Sequence, residues 1–422
     1  MSVLENIQVS RLDNGLTVVT DSMPVVETAS LGVWVNAGTR HETPAVNGIS
    51  HMLEHMAFKG TERRDARAIA EEIEAVGGHL NAYTSREHTA YYAKVLKEDA
   101  DLALDIVSDI LQHSTLDAEE LAREQAVVIQ EISQAIDTPD DIIFDHFQST
   151  AFPDQAMGRP VLGTAELVKS MSRDTLAGYM RANYGPSRMI LSAAGNVNHD
   201  AVVEMAREYF TALPPDREPP MEAARYVGGE YREERDLEQT HLVLGFDGVS
   251  YTDPDFYSAS VLSTLLGGGM SSRLFQEVRE KRGLVYSIYS FTSSYVDGGM
   301  FAVYAGTGED EAAEVIPVVC DEIMKVTANV GGDEVRRARA QLKASILMSL
   351  ESTGSRCEQA ARQLLAYGRI MSTDEVVAKI DEVDETAVVR AAERLFRGAP
   401  TFAAIGPLGK VESLDKIRTR LY

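Results

Sequence analysis

Hydrophobic positions along this chain alternate in some stretches and recur at helical spacing in others. "IQVSRL" and "LTVVTDSM" are strand-like and flank Asn14-Gly15, a strong two-residue turn signal, so they predict a β-hairpin. "ASLGVWVNAG" (Ala29 to Gly38) predicts a further strand. The period changes at "GISHMLEHMAF", which predicts a helix with Ser50 as its cap. "ARAIAEEIEAVG" repeats apolar residues at helical spacing and stops at Gly77-Gly78, a helix C-terminus signal. "HLNAYTSREHTAYYAKVL" is rich in Tyr and Thr and predicts two strands. "DADLALDIVSDILQ" and "DAEELAREQAVVIQEISQAI" predict amphipathic helices.

The character then changes. "LPPDREPPMEAARYVGGEYRE" has four prolines and many charges, the composition of an interdomain linker. Beyond it the first half is replayed. A strand ("THLVLGFDG") leads to a helix ("SASVLSTLLGG"), and a helix ending in Gly ("SSRLFQEVREKRG") leads to Tyr-rich strands. Another amphipathic helix, "DEAAEVIPVVCDEIMKV", follows them. The two series match at an offset of roughly 200 residues, which predicts an α+β fold of two homologous domains in tandem. Each is expected to be a mixed or antiparallel sheet packed with helices. The expected boundaries are 1–215 for the first domain, 216–232 for the linker and 233–422 for the second domain.

A length of 422 residues agrees with two domains. No apolar run approaches the roughly 20 residues of a membrane span. The start, "MSVLENIQVSRLDNG", has neither the basic-then-apolar pattern of a signal peptide nor the Arg-rich pattern of a transit peptide, so a cytoplasmic protein is expected. The only cysteines, Cys320 and Cys357, have no close Cys or His partner and read as reduced structural residues. A net charge of −25 repels nucleic acid and anionic lipid and suits basic ligands. Most of that charge reads as solubility.

The candidate chemistry begins at "HMLEH", residues 51–55. Residues four apart share a helix face, so His51 and His55 can aim at one metal ion. Glu54 projects near the same face and can take a proton from an attacking water. H-x-x-E-H occurs among zinc hydrolases. Alone, the five residues also fit two ordinary histidines on one side of a helix. A catalytic zinc needs a third protein ligand from another element. The helix "EELAREQAVVIQEISQAI" offers Glu124 and Glu131, two turns apart on one face beside an apolar stripe. They are either solvated or placed there for a cation. "LGGGMSSRL" lacks the Gly-Lys-Ser/Thr ending of a phosphate loop and reads as a glycine-rich turn.

With "GISHMLEHMAFKGT", "GGHLNAYTSREHTAYY", "REQAVVIQEI", "DDIIFDHF" and "SSRLFQEVREKRGLVYSIYS", the chain resembles the pitrilysin/insulinase (M16) family of zinc peptidases, and within it the bacterial relatives of the mitochondrial processing peptidase β subunit. The likeness runs over nearly the whole chain. It implies His51, His55 and Glu131 as zinc ligands, one Zn2+ per chain, and Glu54 as general base. Glu124 matches a glutamate that orients the ligands. Phe58 matches a residue lining the pocket after the cleaved bond, and "HLNAYTS" matches an edge strand along which substrate lies, held through Asn81 and Ala82. Arg279 and Tyr286 match a pair that grips substrate near the scissile carbonyl. Asp141 and Asp145 match positions that read a basic residue near the cleavage site. From the residues alone, Arg279 reads as part of a charged run and Tyr286 as strand packing, while Asp141 and Asp145 read equally as solvated acids after Pro139.

Family members enclose substrate in a chamber of four such domains, so two chains of this length are needed. One chain carries both the zinc motif and the Arg/Tyr pair, which implies a homodimer with composite sites. A heterodimer with an inactive homologue is the alternative. The expected activity is zinc-dependent endopeptidase action on unfolded peptides or flexible segments, favouring basic residues near the cleavage site. The rival is a non-catalytic assembly subunit, a class that typically loses the zinc motif.

Overall fold

A computed structural model describes residues 6–422. The chain forms two compact units, and neither is continuous in sequence. The first takes residues up to Ser133, with Arg159–Glu222 and Met348–Thr373. The second takes Gln134–Gly158, Ala223–Leu347 and Asp374–Tyr422. The contiguous division at 1–215, 216–232 and 233–422 therefore differs from the units, because each half lends a helix to the sheet of the other. The residues expected to form the linker are irregular up to Gly228, but strand begins at Gly229.

The first unit is built on strands β1 (Ile7–Arg11), β2 (Thr17–Ser22), β3 (Thr28–Val35), β4 (His79–Thr84), β5 (Thr89–Leu96) and β6 (Met189–Gly195). Their order is β1-β2-β6-β3-β5-β4, and only β2 and β6 run parallel. The Asn14-Gly15 hairpin pairs Ile7 with Asp21 and Arg11 with Thr17. Between β3 and β4 lie helices α1 (Ile49–Ala57) and α2 (Ala66–Ala75). After β5 come α3 (Ala100–Gln112) and α4 (Ala118–Ile136).

Both faces of this sheet are covered, which explains why "ASLGVWV" reads as one apolar run rather than a clean alternation. Val33 and Val35 face a core with Met52, Met56, Ile73, Leu104 and Val128. Trp34, one residue out of phase, faces the other way, onto Cys357, Ala360 and Ala361 of the helix Thr353–Tyr367.

The second unit has β7 (Gly229–Glu234), β8 (Thr240–Asp247), β9 (Val285–Ser294), β10 (Gly299–Thr307) and β11 (Thr401–Gly406). The order β7-β11-β8-β10-β9, with only β7 and β11 parallel, repeats β2-β6-β3-β5-β4. The repeat read from the sequence is thus a repeat of topology. Helix α5 (Pro139–Ala151) covers one face, with Ile143, Phe147 and Ala151 against Val243, Ala302 and Ile405. Gly245 permits that approach: a Cβ there would stand 2.4 Å from Phe147 Cζ. On the other face Phe396 packs edge-on to Phe246 and Phe301, with centroids at 4.9 and 5.2 Å.

One helix expectation needs correction. "SSRLFQEVREKRG" winds as a π-helical segment over Phe275–Glu280 rather than as a regular α-helix. Cys320 and Cys357 are buried and unpaired, and burial pushes both thiols up to about 12, so neither is reactive. Among the described residues, no helix is long and apolar enough to cross a membrane.

Candidate active site

The site begins with how α1 is started. Gly48 occupies the N-cap at φ 93°, and a Cβ there would meet the Leu162 carbonyl oxygen at 2.7 Å. The cap itself comes from Glu42. Its carboxylate accepts the Gly48 and Ser50 backbone N–H groups, each at 2.8 Å, and Asn47 Nδ2 at 2.9 Å. Ser50, the expected cap, lies inside the first turn and hydrogen-bonds the Tyr179 hydroxyl at 3.0 Å. An anionic group at this end satisfies the first N–H groups and complements the helix dipole.

From this anchored turn, His51 and His55 project one turn apart, with ring centroids at 4.6 Å and planes at 71°. Both direct Nε2 at one oxygen of Glu131 on α4, each at 3.5 Å. These separations are too long for hydrogen bonds. They fit donors around one cation: tetrahedral bonds of about 2.0–2.1 Å set neighbouring donors about 3.3 Å apart. The three donor atoms lie within 4.8 Å of one another, and two imidazoles with a carboxylate make a zinc-type set. Burial, and secondarily the neighbouring His55, holds His51 down to about 4. It is therefore neutral near pH 7, the form that offers a lone pair.

Glu124 settles the tautomer of His55. Its Oε2 lies 2.8 Å from His55 Nδ1, and its Oε1 lies 2.7 Å from Lys59 Nζ. Burial raises the Glu124 carboxyl, but the hydrogen bonds from Lys59 and His55 prevail and hold it below its ordinary value. An ionised carboxylate only accepts, so the proton sits on Nδ1 and Nε2 is free for a metal. Glu54 lies beside this cluster and accepts a 2.7 Å hydrogen bond from Thr84 Oγ1 at the end of β4. Burial pushes its carboxyl up, against the Thr84 bond.

This geometry meets a clear likeness. The family described as insulinase (peptidase family M16) matches residues 17–165, and the peptidase M16 inactive domain matches residues 170–342. The chain belongs to peptidase family M16. A protein of Rickettsia bellii named as an uncharacterized zinc protease is 39% identical over 404 residues, covering 96% of this chain and 98% of its own. A Bacillus subtilis zinc protease of the same description is 38% identical, covering 95% and 98%. A probable mitochondrial-processing peptidase subunit beta of Arabidopsis thaliana is 40% identical over 431 residues, covering 98% and 81%. The crystal structure of a peptidase M16 inactive domain from Pseudomonas fluorescens superposes with a TM-score of 0.89 over 97% of this chain and 100% of that one. At 19% identity it speaks for the fold alone.

The M16 chain places its remaining candidates as follows. Among the described residues, β4 is an edge strand, paired only with β5. Asn81 is exposed, and its Oδ1 accepts the N–H of the buried Ala82 at 2.8 Å. Phe58 and Asn81 line one open groove of about 650 Å³, together with Ile69, Ile73, Gly78 and Leu80. In the second unit, Asp141 and Asp145 lie one turn apart on α5. Burial first, then the charges of Asp145 and Asp140, push Asp141 up. Arg279 lies in the last turn of the π-helical segment, with its guanidinium carbon 4.8 Å from the Phe275 ring centroid and 5.7 Å from that of Tyr286. Tyr286 is 77% exposed at the start of β9. π-helical turns are often found at functional sites.

Three residues escaped the sequence reading. Lys59 follows His55 by four, so helical spacing signals it. Thr84 shares the face of Ala82 by strand alternation. Glu42 had no signal, because it reaches the helix from a preceding irregular segment.

Proposed function

We propose that this chain is a zinc-dependent metalloendopeptidase that cleaves unfolded peptides or flexible protein segments, favouring basic residues near the cleavage site. The carrying observation is the His51/His55/Glu131 donor set with Glu54 beside it. Peptidase chemistry is what the family performs, and the relatives at about 40% identity are named as zinc proteases and a processing peptidase.

His51, His55 and Glu131 hold the ion in this reading, with Glu124 fixing the His55 tautomer. When bound, zinc supplies Lewis acidity towards the scissile carbonyl and makes an attacking water more acidic. Glu54 accepts that water's proton and passes it to the leaving amine. Asn81 and Ala82 seat the peptide along β4, since an edge strand offers main-chain hydrogen bonds with little sequence demand. Phe58 lines the pocket beyond the cleaved bond. Arg279 and Tyr286 donate to the developing oxyanion. Asp141 and Asp145 attract a basic side chain of the substrate.

Cleavage of an unstructured Arg-containing peptide, followed by mass spectrometry, tests the activity. Chelation should abolish it and added zinc restore it, with slower turnover of an Ala-for-Arg peptide. A zinc-loaded chain that leaves every peptide intact would point to the non-catalytic assembly role instead.

The same reading makes the active species a homodimer in which Arg279 and Tyr286 serve the partner's zinc site inside a closed chamber. Mixing an inactive Glu54→Gln chain with an inactive Tyr286→Phe chain should restore cleavage, because one of the two hybrid sites keeps both groups. No recovery under conditions that exchange subunits would count against sharing in trans.

A further inference from the structure

We propose that Thr84 is the positioning residue for Glu54, so that the edge strand of the sheet orients the group that moves the proton. This rests on the reading of Glu54 as the proton acceptor. A glutamate side chain has three rotatable torsions, and an acceptor on a helix surface needs an outside contact to hold one orientation. Among the described residues, Thr84 is the only side chain that hydrogen-bonds Glu54, with Oγ1 at 2.7 Å from Oε2. The other acceptor in reach of the hydroxyl, the Ser50 carbonyl, is at 3.4 Å, so the single hydroxyl proton goes to Glu54.

The placement of Thr84 is itself constrained. It is β-branched and therefore stiff at χ1, and it is the last residue of β4, opposite Thr89 in the register with β5. Ala82, two residues back on this edge strand, donates its N–H to the neighbouring Asn81 Oδ1 at 2.8 Å, a local contact that an added peptide strand can displace. One strand therefore carries the peptide donor and the contact that aims the carboxylate. A peptide seated on β4 is held in fixed register with the proton acceptor, with no loop movement between the two.

Losing the hydroxyl should cost turnover rather than binding. In T84V, kcat should fall about 10- to 100-fold, the effect of a loosely oriented catalytic group. KM and zinc content should stay as in the parent, and T84S should recover most of the loss. A T84V kcat within about twofold of the parent would overturn the proposal, as would a T84S chain as slow as T84V. If T84V melts early or loads less zinc, T84A against T84S makes the same comparison, and equal kcat values sink the idea. E54Q separates the two levels. An active E54Q removes the reading of Glu54 itself, whereas an inactive E54Q beside a fully active T84V removes only the role of Thr84.

Discussion

Replacing Glu54 with glutamine will leave a folded, zinc-loaded chain that scarcely hydrolyses peptides. The amide keeps the size of the side chain and can still accept from Thr84, so the packing around α1 should hold. None of the three zinc-type donors is altered. What disappears is a group able to take a proton, a contribution typically of about 10²–10⁴-fold in rate. The loss should appear in kcat at unchanged zinc stoichiometry, measured by elemental analysis of the same preparation. Substrate should still bind, because β4 and the Phe58 groove are untouched. A variant that retains zinc and full turnover would mean that another group accepts the proton.

Much of this site was legible in the chain because its geometry is local. His51, Glu54 and His55 share one helix face by spacing alone, whereas Lys59 lies in the turn beyond the end of α1 at Ala57. The seven-residue step from Glu124 to Glu131 likewise survives as two turns of α4. What spacing could not convey is which atoms meet across elements. Glu131 meets both imidazoles, and Glu124 meets only the far nitrogen of one. The Ser50 cap was read from a local preference, yet Glu42 won. A buried carboxylate can satisfy two backbone N–H groups at once, and the entry turn brings it there.

The fold divides in the same way. That the domain repeats follows from two matching series of elements, but the strand order and the exchange of α5 and the helix Thr353–Tyr367 leave no periodic trace. A helix shows an apolar face whichever sheet it covers. Only the unusual apolarity on both faces of β3, with Trp34 out of phase with Val33 and Val35, hinted that a second layer was needed.

Glu131→Gln and Glu124→Gln should both weaken zinc binding, by different amounts for different reasons. Glu131 supplies the only anionic donor of the set, and an amide oxygen is a poor substitute towards a dication. Its removal should leave purified protein short of zinc and inactive, with activity regained only in large zinc excess if at all. Glu124 touches no ion position. It holds the proton on His55 Nδ1, and loss of such a partner typically costs about 10–100-fold in affinity or activity. Glutamine can keep the hydrogen bond through its carbonyl, but it cannot balance Lys59, whose Nζ sits 2.7 Å from the carboxylate. An unbalanced ammonium near His55 also disfavours a cation in the site, so affinity should fall even where the tautomer is kept. Competition titrations with a chromogenic chelator would rank the two variants. Equal affinities for Glu131→Gln and the parent would exclude Glu131 as a ligand. A Glu124→Gln chain that binds zinc as tightly as the parent would show that the charge beside His55 does not tune the site.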